Sequence, residues 1–155
     1  MNAEFMWEAI RLSQQNIRDG KGGPFACVIV KDGKIIARGT NLVTSTNDPT
    51  AHAEIVAIRE ACKVLGTFQL NGCEIYTSCE PCPMCLGALY WARPDKIYFA
   101  NSREDASKAG FDDLFIYEEL PKKVSERKIP TQQIMREEAL AAFREWEQKQ
   151  DKIQY

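Results

Sequence analysis

Histidine is almost missing from this chain: among 155 residues there is one, His52. Any site that needs an imidazole must be built on that position. An excess of charge of one sign is missing too. Lys and Arg number 20 against 22 Asp and Glu, a formal net charge of -2, which argues against a surface that wraps a long polyanion, because phosphate binding is driven by clustered cations. The one notable basic stretch, PKKVSERK from Pro121 to Lys128, reads as a solvated loop. No apolar run approaches the length of a transmembrane helix, so no membrane is expected. The opening MNAEFMWEAIRLSQQ sets Glu4 and Glu8 among its apolar positions and offers no basic leader or continuous apolar stretch of an export signal. The six cysteines, Cys27, Cys62, Cys73, Cys79, Cys82 and Cys85, are therefore expected in a reducing cytoplasm, where metal or catalytic use outranks a disulfide framework. Low-complexity segments and internal repeats are also absent. Length and a 45% hydrophobic composition fit one domain over residues 1–155 with a single core.

What is present is an exchange of helix and strand patterns. Phe5, Ala9, Leu12 and Asn16 fall at helical spacing, and Gly20 closes that helix. Phe25–Val30 and Lys34–Arg38 are apolar runs joined across Asp32-Gly33, a tight-turn pair, and predict a hairpin. Asp48-Pro49 predicts the start of a second helix, with Asp48 as cap and Ile55, Ile58, Ala61, Cys62 and Leu65 as its apolar stripe before Gly66. Glu74–Ser78 and Lys96–Asn101 read as strands around a helix over Pro83–Ala92. A last helix runs over 134–149, with Leu140, Phe143 and Trp146 on one side. Alternation of this kind implies crossovers and largely parallel pairing. The fold class is α/β: a three-layer α/β/α domain whose mixed sheet carries the antiparallel hairpin at one edge.

The cysteines concentrate in Thr77–Cys85, TSCEPCPMC, which holds two overlapping C-x-x-C pairs. With a helix starting near Pro83, Cys82 and Cys85 stand about one turn apart and can reach one point. The helix N-terminus favours their thiolates. His52 lies at the start of the preceding helix, and the strand between the two helices brings both N-termini to one edge of the sheet. One imidazole and two thiolates leave a fourth tetrahedral position on zinc for water, the arrangement of a catalytic site. Spacing alone leaves Cys79 open as a fourth, structural ligand.

H-A-E followed by P-C-P-M-C matches the pattern of zinc nucleobase deaminases. The chain resembles the cytidine-deaminase-like superfamily, and within it the small bacterial guanine deaminases, through GGPFACVIVKDG, TNDPTAHAEIVAIREACKVLG, YTSCEPCPMCLGALYWARP and AGFDDLFIYEEL. The resemblance implies one zinc per subunit held by His52, Cys82 and Cys85, with Glu54 as proton shuttle and Cys79 not a ligand. On an ideal helix, residues two apart point about 200° away from each other, so the convergence of His52 and Glu54 also rests on the resemblance. It further implies a guanine pocket using Phe25, Asn41, Trp91, Asp113 and Tyr155. Asp113 would accept from N1–H and the 2-amino group and help the amine leave, Asn41 would meet a mixed donor and acceptor edge, and Phe25 and Trp91 would sandwich the ring. The implied activity is hydrolysis of a small purine base, guanine, to xanthine and ammonia in purine catabolism. The implied assembly is a homodimer whose C-terminal segment, from about residue 131, packs on a partner subunit. Three alternatives share parts of the pattern. A tRNA adenosine deaminase has the same metal motif but calls for a less acidic, RNA-facing surface; a deaminase of cytosine or another aminated heterocycle uses the same chemistry; and a binding module would carry a Cys3His structural zinc.

Overall fold

The computed structural model describes residues 2–155. Its contacts divide them into two compact units, one ending at Asp113 and one from Leu114 to Tyr155; the division falls ahead of the position near 131 where the tail was expected to begin.

The first unit opens with helix α1 (Ala3–Arg18), capped by the Asn2 side chain on the Glu4 N–H. Strands β1 (Ala26–Lys31) and β2 (Lys34–Thr40) follow as a hairpin. Asp32 and Gly33 both take positive φ, 49° and 72°, which makes the two-residue turn that the Asp-Gly pair predicts. A short helix α2 (Val43–Thr46) precedes α3 (Ala53–Leu65), β3 (Cys73–Cys79), α4 (Pro83–Ala92), β4 (Lys96–Asn101) and α5 (Arg103–Lys108). Gly66 ends α3 in the left-handed region, φ 64°, as a C-terminal glycine does.

The sheet runs in the order β2-β1-β3-β4. β1 pairs antiparallel with both β2 and β3, and the parallel pair is β3 with β4. The sheet is therefore mixed, with less parallel pairing than the alternation of elements implied. The cause is that β3 returns beside β1 rather than beside β2. Alternate residues of the strands bury on opposite faces. Cys27, Ile29, Cys73 and Ile75 pack with Ala53, Ala57 and Ala61 of α3 and Leu89 and Ala92 of α4, whereas Val28, Val30 and Tyr76 pack with Ala9 of α1. Helices thus cover both faces, as the three-layer reading expected. Cys62 packs at the margin of the first cluster, consistent with a core role.

The second unit holds α6 (Leu114–Glu119), a 3-10 turn (Val124–Glu126) and α7 (Arg136–Gln148), none of which carries a buried residue. No helix among the described residues is long and apolar enough to cross a membrane.

Candidate metal centre and active site

His52 and Cys82 occupy the same position in two different helices. Each is the N-cap, His52 of α3 with φ −68° and ψ 157° and Cys82 of α4 with φ −65° and ψ 168°, and neither side chain caps its own helix. An N-cap side chain ordinarily accepts from the first free N–H groups of its helix; here both turn toward each other instead. The helix start at Asp48-Pro49 is corrected by this geometry. Asp48 accepts from the Thr50 N–H (2.8 Å) and the Thr50 hydroxyl (2.7 Å) in a local turn, and α3 begins at Ala53. With His52 outside the helix in extended backbone, the ideal-helix angle no longer separates it from Glu54.

Cys85 follows Cys82 by one turn and is buried. The sulfurs of Cys82 and Cys85 each lie 3.5 Å from His52 Nδ1, and the three ligand atoms lie within 4.8 Å of one another. Among the described residues this is the one such group of His, Cys, Asp or Glu side chains, and Cys79 is outside it. Cys79 instead directs its sulfur to the Ser102 carbonyl at 3.6 Å.

Electrostatics separate the sulfurs. Cys82 is brought down to about 4, first by its hydrogen bond with Cys85 and then, against burial, by that with His52. The same bond with Cys82, then burial and the charge of Glu54, push Cys85 up. His52 is raised by its bond with Cys82, against burial, and by the charges of Cys82, Glu54 and Asp113. Cys79 is pushed up to about 11 by burial and then by Glu54. Cys82 is thus a thiolate at a helix N-terminus, with a second sulfur and an imidazole nitrogen beside it. That donor set fits zinc with three protein ligands, the number found where a position is kept for water or substrate.

The pattern of the cytidine and deoxycytidylate deaminase zinc-binding region matches residues 1–101. The chain belongs to this deaminase family. It is 55% identical to the guanine deaminase of Bacillus subtilis (strain 168), over 100% of both chains. The crystal structure of guanine deaminase from Bacillus subtilis matches with a TM-score of 0.97, covering 100% of this chain and 99% of that one. A guanine deaminase structure from Nitrosomonas europaea is 36% identical, with a TM-score of 0.67 over 70% of this chain and 63% of its own. A tRNA-specific adenosine deaminase of Aquifex aeolicus is 44% identical, over 62% of this chain and 63% of its own.

Around the zinc ligands of the deaminase, the remaining predicted residues are placed unequally. Glu54, the second residue of α3, is 6% exposed and accepts from Thr77 Oγ1 at 2.8 Å. Asp113 is half-buried, and burial followed by the Cys82 charge raises its carboxyl. Asn41 is 8% exposed, and its Oδ1 accepts from the N–H groups of Gly23 and Val43, both at 3.3 Å. Its oxygen is thus occupied within the loop. Asn16 of α1 fixes this loop, donating from Nδ2 to Asn41 O (2.8 Å) and Gly23 O (2.9 Å).

Phe25 is half-buried, and its ring meets Phe111 edge-on at 4.9 Å. Trp91 belongs to α4. It sits in the last turn of α4, about 9 Å along the axis from Cys85, and is 64% exposed. Tyr155 ends the second unit and is 70% exposed. Sequence reasoning missed Thr77, Phe111 and Asn16. The signal for Thr77 was a hydroxyl on the strand face it shares with Cys73 and Ile75.

Proposed function

We propose that the chain hydrolyses guanine to xanthine and ammonia, as a step of purine catabolism. The observation that carries the choice of substrate is the likeness to a guanine deaminase over the whole chain, where the likeness to the tRNA adenosine deaminase covers 62% of it. Zinc, when bound by His52, Cys82 and Cys85, supplies the Lewis acidity that makes water reactive near neutral pH.

The chain's own groups do the rest. Water adds at C2 of guanine, and Glu54 takes the water's proton and delivers it to the ring nitrogen. The proton of the hydroxyl now on C2 then passes to the exocyclic amine through Glu54 or Asp113, the C2–N2 bond breaks as C2=O forms, and ammonia leaves. Asp113, an acceptor when ionised, selects the adjacent N1–H and 2-amino donors of guanine over the adenine edge. Asn41 Nδ2 donates to an acceptor on the base, and Phe25, backed by Phe111, lies against its ring.

In this reading the enzyme is a homodimer with an exchanged C-terminal segment. Supporting it, Phe115, Phe143 and Trp146 are exposed in a unit whose helices bury nothing, and Trp91 and Tyr155 are aromatic side chains a second copy would cover. Six cysteines without a disulfide suit the cytoplasm.

The test is an assay of the zinc-loaded protein on free guanine, beside adenine, cytosine and an adenosine-bearing anticodon stem-loop. Xanthine and ammonia are expected from guanine, and Glu54→Ala should lower the rate by about 100- to 10,000-fold. Turnover of the stem-loop alone would replace this reading with RNA modification, and an undiminished rate in Glu54→Ala would remove the shuttle.

A further inference from the structure

We propose that Thr77 is a positioning residue for deamination: it holds the Glu54 carboxylate by one oxygen and leaves the other for proton transfer. The inference rests on the reading of Glu54 as the proton carrier. Thr77 is 1% exposed and Glu54 6% exposed, and 2.8 Å separates Oγ1 from Oε1. The carboxylate is therefore anchored to a fixed hydroxyl on the sheet, two residues along the chain from the ligand His52.

Two features separate this hydroxyl from an ordinary packing contact. Cys73 and Ile75, its neighbours on the same face of β3, belong to the apolar cluster under α3 and α4, where a methyl group in place of the hydroxyl would pack as well. The hydroxyl also has a second acceptor, Ala26 O at 3.5 Å. A threonine hydroxyl has one proton and can accept while it donates. It can donate to the ionised carboxylate, then accept from the carboxylic acid while turning its own proton to Ala26 O. No heavy atom need move, so the contact survives the arrival and departure of the proton. Without it, a glutamate with three side-chain torsions must be ordered at each turnover.

Thr77→Val keeps the shape and removes the hydroxyl; Thr77→Ser keeps the hydroxyl. Thr77→Val is expected to lower kcat on guanine by about 10- to 100-fold, as loss of an orienting partner does. KM should stay within about threefold and zinc at about one per chain, because Thr77 touches neither substrate nor metal; Thr77→Ser should restore kcat to within about threefold. Should valine not be accommodated, Thr77→Ala is read in the same way. A parental kcat in Thr77→Val, a loss carried by KM or by zinc content, or failure of Thr77→Ser to restore it, each overturns the proposal. If the zinc-loaded parent releases no ammonia from guanine, the reading of function falls by itself. Thr77 is then decided by melting temperatures of Thr77→Val, Glu54→Gln and the double variant: non-additive shifts uphold the contact, and additive ones overturn it.

Discussion

The two helices that deliver the zinc ligands begin alike and are held differently. Both present a ligand at the N-cap in extended backbone. α3, with His52, leans on β2 at the edge of the sheet, whereas α4, with Cys82 and Cys85, grows out of the inner strand β3 through Glu80-Pro81. Contact at Gly39 shows how close the first support is. A Cβ there would lie 2.2 Å from Ala53 O and 2.5 Å from Ala57 N, while a Cβ on Gly87 in the middle of α4 would meet nothing within 4 Å. His52 is therefore set by backbone pressed on backbone across the sheet. Cys82 is set along the chain, by a strand end and by Pro83 in the first turn.

The largest effect that would break this comparison is expected from Gly39→Ala. The methyl group must push the first turn of α3 off β2, costing about 1–3 kcal/mol of stability and zinc occupancy with it. Gly87→Ala, at an exposed helix position, should be neutral or stabilise by about 0.5–1 kcal/mol with zinc unchanged. Thermal unfolding and zinc per chain measure both. Equal behaviour of the two variants would mean that the close approach at Gly39 does not locate His52.

A smaller effect sharpens the comparison from the other face of β2. Arg38, next to Gly39, gives Nε to Glu8 Oε1 at 2.8 Å, and Arg11 gives Nε to Glu8 Oε2 at 2.9 Å, so α1 clamps the strand on which α3 rests. The hydrogen bond from Arg11, then that from Arg38, holds Glu8 at about 2 instead of 4.5. A lowered folded value means that the clamp's contribution is present above about pH 4.5 and is lost as pH falls toward about 2. Because the arginine side chains are 60% and 52% exposed, solvent screening keeps the contribution to about 0.5–1 kcal/mol. Glu8→Gln should lower the melting temperature at pH 7, and its difference from the parent should close as pH falls through that window. A difference that stays constant would assign the loss to packing of the side chain instead.

The same contrast explains what was legible in the sequence. The elements around the cysteines were read closely, α4 and β4 to the residue, because Pro83 and the apolar runs are local signals. The start of α3 was not. Asp48-Pro49 is a sound local cap signal, but Asp48 spends its carboxylate on Thr50, and His52 takes the cap position without capping. Strand partners are equally invisible to local pattern: β3 lies antiparallel to β1, which alternation of helices and strands does not announce. In the site, motif spacing points to His52, Cys82 and Cys85, and the structure brings them together. The contact between Glu54 and Thr77 spans 23 residues and appears only once the sheet is assembled. Asn41 and Asp113 were named from likeness to a family; what the fold adds is an amide whose oxygen is already occupied and a half-buried carboxyl.

The smallest expected effect concerns the third sulfur of the TSCEPCPMC stretch. Cys79 ends β3 and is 5% exposed, its thiol is pushed up to about 11 by burial, and its contact is the Ser102 carbonyl. A thiol so held is protonated at neutral pH and lies outside the ligand group, whereas Cys82, three residues on at a helix N-terminus, is a thiolate within it. Cys79→Ser should therefore keep zinc at about one per chain, where Cys82→Ser should lose it, because zinc takes the thiolate and not the thiol. Metal analysis of the two purified variants, with kcat on guanine alongside, makes the comparison. Loss of zinc from Cys79→Ser would place a third sulfur on the metal, close the position that water needs, and turn the centre into a structural Cys3His site. Retention leaves the two helix N-caps and Cys85 as the whole ligand set, with Cys79 outside it at the end of β3.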